Sequence, residues 1–202
     1  MSENIHRYTT DEISKLGHTL IYLSQKVGFI TKTKALKLLY FLDEISIKKY
    51  GIPFIGLTYE VWQFGPVAQD VFIDLSDNPV MLKDYISIQK EFVHGLNNEV
   101  TVIEPLIDFS DDEFSDNDLE VLNYVIKHFG KLSAFDLSEI THNSTSLWFK
   151  NAKENNLLES FNNGLLNSSN FLIDFTLLLD PYKTEIYKNY METKQLERGF
   201  NI

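Results

Sequence analysis

The residues with the widest chemical reach in this chain of 202 are its five histidines, its 29 carboxylates and its serine and threonine hydroxyls. Zinc-hydrolase chemistry needs two histidines four residues apart on one helix, so that both imidazoles face one metal. His6, His18, His94, His128 and His142 have no such spacing. The acidic run could suggest calcium, yet neither Asp108 nor Asp116 opens a loop with glycine at its sixth position and glutamate at its twelfth. Phosphate cradles require clustered glycines so that backbone N–H groups approach the anion, and the nine glycines form no Gly-x-Gly and no Gly-Lys-Ser/Thr. No serine sits in a Gly-x-Ser-x-Gly elbow, and the absence of cysteine removes thiol catalysis, disulfides and thiolate metal sites together. The expectation is a protein that uses no metal, no nucleotide and no other cofactor, and that is not an enzyme.

Two clusters remain. The first runs from Lys37, Leu38, Leu39, Tyr40 and Phe41 through Gly51 to Trp62 and then Gly65, Pro66 and Val67. The second joins Thr141 and His142 to Trp148, six residues later. Read structurally, Leu38, Leu39 and Phe41 are core and Gly51 stops a helix. Trp62 packs across the Gly65-Pro66 turn and fixes how the helix sits on a sheet, while Thr141 or His142 caps the helix leading to Trp148. Read functionally, aromatic and charged side chains on a rigid support are what recognise another protein. Aromatic residues make up 13% of the chain, more than a modest core requires. On that reading Lys37, Tyr40, Glu44, Phe64 and Gln69 are exposed partner-binding positions near the second helix and the Gly65-Pro66 turn.

The elements that must position these clusters follow from periodicity. Thr10, with Asp11 and Glu12 behind it, caps a helix carrying Ile13, Leu16, Leu20, Leu23 and Val27 and ending near Gly28. A second helix starts at Thr31 or Thr33 and carries Ala35, Leu38, Leu39, Leu42 and Ile45 on one face, with Lys34, Lys37, Glu44 and Lys48 on the other. Residues 57–63 read as a strand, and Pro66 as the first position of a helix carrying Val67, Val71, Phe72 and Leu75. Segments 85–93 and 99–107 form a hairpin around Gly95-Leu96-Asn97-Asn98. Beyond residue 115 the periodicity is helical again, with Ser115 and Ser133 as caps, Gly130 as a stop and Asp180-Pro181 opening a last helix; 171–179 fits strand or helix. The fold class is mainly α (α+β), a compact helical domain with a small antiparallel β-sheet or hairpin.

Composition bounds the rest. With 44% hydrophobic and 23% charged residues the chain is globular, and it reads as a single domain over 1–202 with a candidate internal boundary in the acidic segment 108–116. A net charge of −11 opposes direct contact with nucleic acid. The first ten residues lack the pattern of a signal peptide and no segment is apolar enough for a membrane span, so the expected compartment is the cytoplasm.

The ordered series from Lys37 to Phe41, through Gly51 and Pro53, the aromatic strand ending at Trp62 and then Gly65-Pro66-Val67, resembles the Panacea domain of SocA-like antitoxins, a family that includes phage-associated proteins. The later segment with Leu137, Thr141, His142 and Trp148 is similar to the C-terminal part of that domain, so the resemblance covers roughly residues 13–155. It implies a binding module that neutralises a cognate toxin protein encoded by a neighbouring gene; the alternative is a proteolytic adaptor that delivers its toxin to a cytosolic protease, or a phage-encoded regulator that bridges a client protein to host machinery. The chain shows neither a DNA-binding motif nor the charge for one.

Overall fold

The computed structural model describes residues 8–92 and 99–200. In chain order these form α1 (Thr10–Val27), α2 (Lys32–Tyr50), β1 (Glu60–Trp62), β2 (Gly65–Val67), α3 (Gln69–Asp74), β3 (Ile86–Phe92) and β4 (Glu99–Pro105). Then come α4 (Asp116–Phe129), α5 (Ala134–His142), α6 (Leu147–Glu154), α7 (Leu158–Asn162), a 3-10 turn (Phe175–Leu178) and α8 (Pro181–Phe200). The described residues are mainly helical, with two antiparallel two-stranded sheets.

Helix ends sit where local chemistry puts them. α1 is capped one residue earlier than periodicity suggests, because Thr9 and Glu12 exchange side-chain-to-backbone hydrogen bonds in a reciprocal capping box. Thr31 caps α2, and Gly51 ends it in the left-handed region at φ 76°. Ser115 and Ser133 both form capping boxes, with Asp118 and Asp136. At the last helix the Asp180 carboxylate accepts from the Lys183 amide at 2.9 Å, ahead of Pro181 in the first turn.

α2 is the central element. It touches α3, α4, α5, β2 and β4, so residues all round it are buried rather than one stripe: Leu38, Leu39 and Leu42 are fully enclosed and Phe41 is 4% exposed. Each such leucine contributes about 1.5–3 kcal/mol by leaving water. This geometry corrects the two-faced reading of α2 at Lys37 and Tyr40, which are buried with the rest, while Lys34 and Glu44 are half-buried and Lys48 is exposed.

Differences also appear in the sheets. β3 pairs with β4 from Ile86↔Pro105 to Phe92↔Glu99 as the hairpin reading requires, while its proposed loop at 95–98 lies outside the described residues. Pro66 does not start a helix. Gly65, Pro66 and Val67 pair back on Trp62, Val61 and Glu60 as a separate short hairpin, and the helix begins only after Ala68. A proline is tolerated there because a two-stranded sheet leaves its missing N–H at an edge. In the candidate boundary segment, Asp108, Asp111 and Asp112 are exposed, whereas Phe109 and Phe114 pack on the hydrophobic core. The ambiguous stretch 171–179 divides: Leu172 forms an antiparallel bridge with Glu60, and the 3-10 turn follows from Phe175, which is buried against Tyr40 and Tyr59.

Candidate partner-binding site

Side chains from three helices converge on the turn between β1 and β2. α6 supplies Trp148, whose indole N–H donates to the Trp62 carbonyl at 2.9 Å. α5 supplies His142, whose Nε2 lies 2.8 Å from the Gln63 carbonyl. α2 supplies Lys37, whose Nζ donates to the Phe64 carbonyl. Three successive carbonyls of one turn are thereby held from outside the hairpin, which a two-stranded ribbon this short could not achieve through its own ladder. The amide of Gln63 is tied as well, donating from N to the Asn167 carbonyl at 3.0 Å and from Nε2 to the Phe161 carbonyl at 2.9 Å.

Gly65 closes the turn at φ 109°, a conformation that side chains rarely adopt. The space where its Cβ would stand is already filled: it would run into Lys37 Nζ and come within 2.8 Å of Thr141 Oγ1. Glycine is therefore required here twice, by backbone conformation and by the close approach of two helices. With the backbone held, the Phe64 side chain is left 70% exposed at the tip.

Phe64 and Gln69 are exposed, Gln69 at the start of α3. Glu44 is partly buried, its carboxyl pushed up by burial against a hydrogen bond from the Tyr40 hydroxyl. Lys37 and Tyr40 are not surface anchors in the free chain, being 2% and 1% exposed. The Tyr40 ring packs edge-on at 5.3 Å from Tyr59 and 5.5 Å from Phe41 because α2 is enclosed on that side too. Trp62 is only partly buried, lying 5.1 Å from the Phe72 ring with its indole N–H on Glu60, so it braces α3 and leaves the fixing of α2 to the turn itself. Neither Thr141 nor His142 caps α6. Ser146 does, and its hydroxyl reaches back to the Thr141 carbonyl.

The chemistry open to this arrangement is narrow. Burial pushes the Lys37 amine down to about 7, which elsewhere would suit a nucleophile, but the hairpin covers it from any substrate. Both ring nitrogens of His142 already face carbonyls, Gln63 at 2.8 Å and Ser138 at 2.7 Å, leaving neither for a metal or a reacting group. No group of three or more acidic or imidazole side chains is close enough to hold a metal among the described residues. The cluster is built to hold a backbone still.

Lys37 makes that hold dependent on pH. Below about 7 the folded and unfolded chains both carry its proton, so the cost of enclosing the ammonium is constant; between 7 and 10.5 only the unfolded chain keeps it. Unfolding then takes up a proton, and stability rises with pH by about 1.4 kcal/mol per unit. Urea titrations are expected to show wild type gaining about 2–3 kcal/mol on Lys37→Met between about pH 7.5 and 9.5. Parallel pH profiles for the two proteins would refute this.

Sequence reasoning also missed Gln63, the most heavily tied residue of the turn, and the acid Asp43. A carboxylate at 43 falls on the apolar stripe of Leu36, Leu39 and Ile47, which was a visible signal. Asp43 is 1% exposed and accepts from the amides of Ile55, Gly56 and Leu57 at 2.7, 3.0 and 3.2 Å, and from the Tyr59 hydroxyl at 2.8 Å. It shapes the loop that delivers the chain from α2 to β1.

Among the described residues no helix is long and apolar enough to cross a membrane. No curated protein and no solved structure matches the chain. The family model described as antitoxin SocA-like, Panacea domain matches residues 36–149. That stretch is more than half of the 202 residues and contains Lys37, the β1–β2 hairpin, His142 and Trp148. Since that match covers more than half of the chain, the chain belongs to the SocA-like antitoxin family with its Panacea domain.

Proposed function

We propose that this chain is a cytoplasmic antitoxin that binds a cognate toxin protein, encoded by a neighbouring gene, and neutralises it by direct protein–protein contact without catalysis. The observation that carries the reading is the pinned hairpin. Lys37, His142 and Trp148 hold three successive carbonyls while Phe64 stays 70% exposed. An aromatic anchor presented on a fixed backbone loses little conformational freedom on binding, which is how a few residues come to dominate an interface. Gln69 and the partly buried Glu44 are the remaining expected contacts, and Lys37 acts from beneath.

Co-expression is expected to rescue growth of cells making the neighbouring toxin, and the two proteins to co-purify. Phe64→Ser should keep the wild-type stability to within about 0.5 kcal/mol, since its side chain is on the surface. It should lose about 2 kcal/mol or more of binding, roughly a 30-fold weaker complex, if the ring is an anchor. Rescue with no detectable complex would instead mean an enzymatic antitoxin.

A further inference from the structure

Residues 160–173 contain no Asp, Glu, Lys or Arg, in a chain of net charge −11. This strip leaves the end of α7, turns back on itself with the Leu165 amide on the Ser160 carbonyl, and from Asn167 lies along the outer side of β1. The Val61 amide donates to the Phe171 carbonyl at 2.8 Å, the Gln63 amide to the Asn167 carbonyl at 3.0 Å and the Ile173 amide to the Tyr59 carbonyl at 2.8 Å. The Ser169 hydroxyl donates to the Val61 carbonyl at 2.6 Å. The strip therefore has a defined path on a pinned hairpin, yet Leu165, Leu166, Phe171 and Leu172 are 73%, 45%, 49% and 54% exposed beside the hairpin that carries Phe64.

Single exposed apolar residues need no explanation, but several along one hydrogen-bonded strip, next to a hairpin with an exposed aromatic, mark an interaction surface. Interface cores are depleted in charge because desolvating an unpaired charge is costly, and their rims are polar. Between Lys153 and Lys183 the charged residues that flank this strip in sequence are acidic and exposed: Glu154 and Glu159 before it, Asp174 and Asp180 after it. A second copy of the chain would bring acidic rim against acidic rim. We infer that strip 160–173, together with Phe64, is the surface on which the cognate toxin docks, and that the toxin meets it with an uncharged apolar patch rimmed by Lys or Arg. The inference rests on the antitoxin reading above and deepens it. The strip lies outside residues 36–149, so the docking surface joins Phe64, within the family domain, to a part of this chain that the family model does not cover.

The test is the binding kinetics of the full chain with the purified product of the neighbouring gene, at low and high salt, with melting curves confirming each fold. Leu165→Ser with Leu172→Ser should leave association nearly unchanged and speed dissociation about 30-fold or more. Glu154→Lys with Glu159→Lys should slow association about 10-fold at low salt and flatten its salt dependence, with little change in dissociation. If wild type binds and both variants bind alike, the docking surface is elsewhere and the antitoxin reading stands. If wild type forms no complex, both readings fall. A wild-type dimer that the leucine pair converts to monomer, seen by light scattering, would assign the strip to a second copy and overturn the proposal.

Discussion

Asp43→Ala is expected to cost the fold about 4 kcal/mol or more. The four donors that its carboxylate satisfies, three backbone amides and the Tyr59 hydroxyl, are all enclosed. Removing the acceptor leaves each with a desolvation penalty of about 1–3 kcal/mol, offset only where water can enter. Burial pushes the Asp43 carboxyl up, while its hydrogen bonds to Gly56, Ile55, Tyr59 and Leu57 pull it down; burial prevails. Asp43→Asn separates acceptor chemistry from packing. It keeps the volume but turns one oxygen into an amide donor facing other donors, so it should be nearly as damaging as alanine. Urea unfolding followed by the fluorescence of Trp62 and Trp148 measures both. An Asp43→Asn variant within about 1 kcal/mol of wild type would mean that the loop 52–59 is held by packing instead.

That acid illustrates where the fold was and was not legible. Helix ends such as Thr31, Gly51, Ser115 and Ser133 were readable because a cap is satisfied within four residues of itself. The β3–β4 hairpin was readable for the same local reason. Lys37 and Tyr40 were misplaced because a charge on a helix was taken to mark its outer face, and α2 has no outer face along most of its length. Gly65-Pro66 was misread as a helix start because its partners are strand residues across the turn, and only pairing with β1 decides between the two. The holding of the turn was invisible for a stronger reason. Its hydrogen bonds join residues 27, 79 and 86 positions apart, and nothing in local spacing encodes such meetings. The family resemblance collected those residues in order; the geometry supplies what they do together. The strip 160–173 carried a compositional signal in its lack of charge, but its place beside β1 is again a long-range fact.

Gly65→Ala is expected to lower stability by about 3 kcal/mol, adding roughly 1–3 kcal/mol of backbone strain to the loss of a buried hydrogen bond. The added methyl cannot stand where Lys37 Nζ now lies, and it would crowd Thr141 Oγ1 at 2.8 Å. The flexible end of Lys37 can swing away, but doing so abandons the Phe64 carbonyl. Gly28→Ala is the control for strain alone, because Gly28 has φ 76° with nothing within 4 Å of the Cβ position. It should cost the strain alone, about 1–3 kcal/mol. If collision with the amine matters, the cost of Gly65→Ala should shrink in a Lys37→Ala background, a coupling that a double-mutant cycle reads directly. Equal costs at positions 28 and 65, with no coupling to Lys37, would show that strain is the whole effect. The functional consequence separates from stability. Gly65→Ala should release the Phe64 carbonyl and misplace the ring, so at a temperature where the variant is fully folded it should bind the toxin at least as poorly as Phe64→Ser, and a folded variant with wild-type affinity would remove the hairpin from the interface.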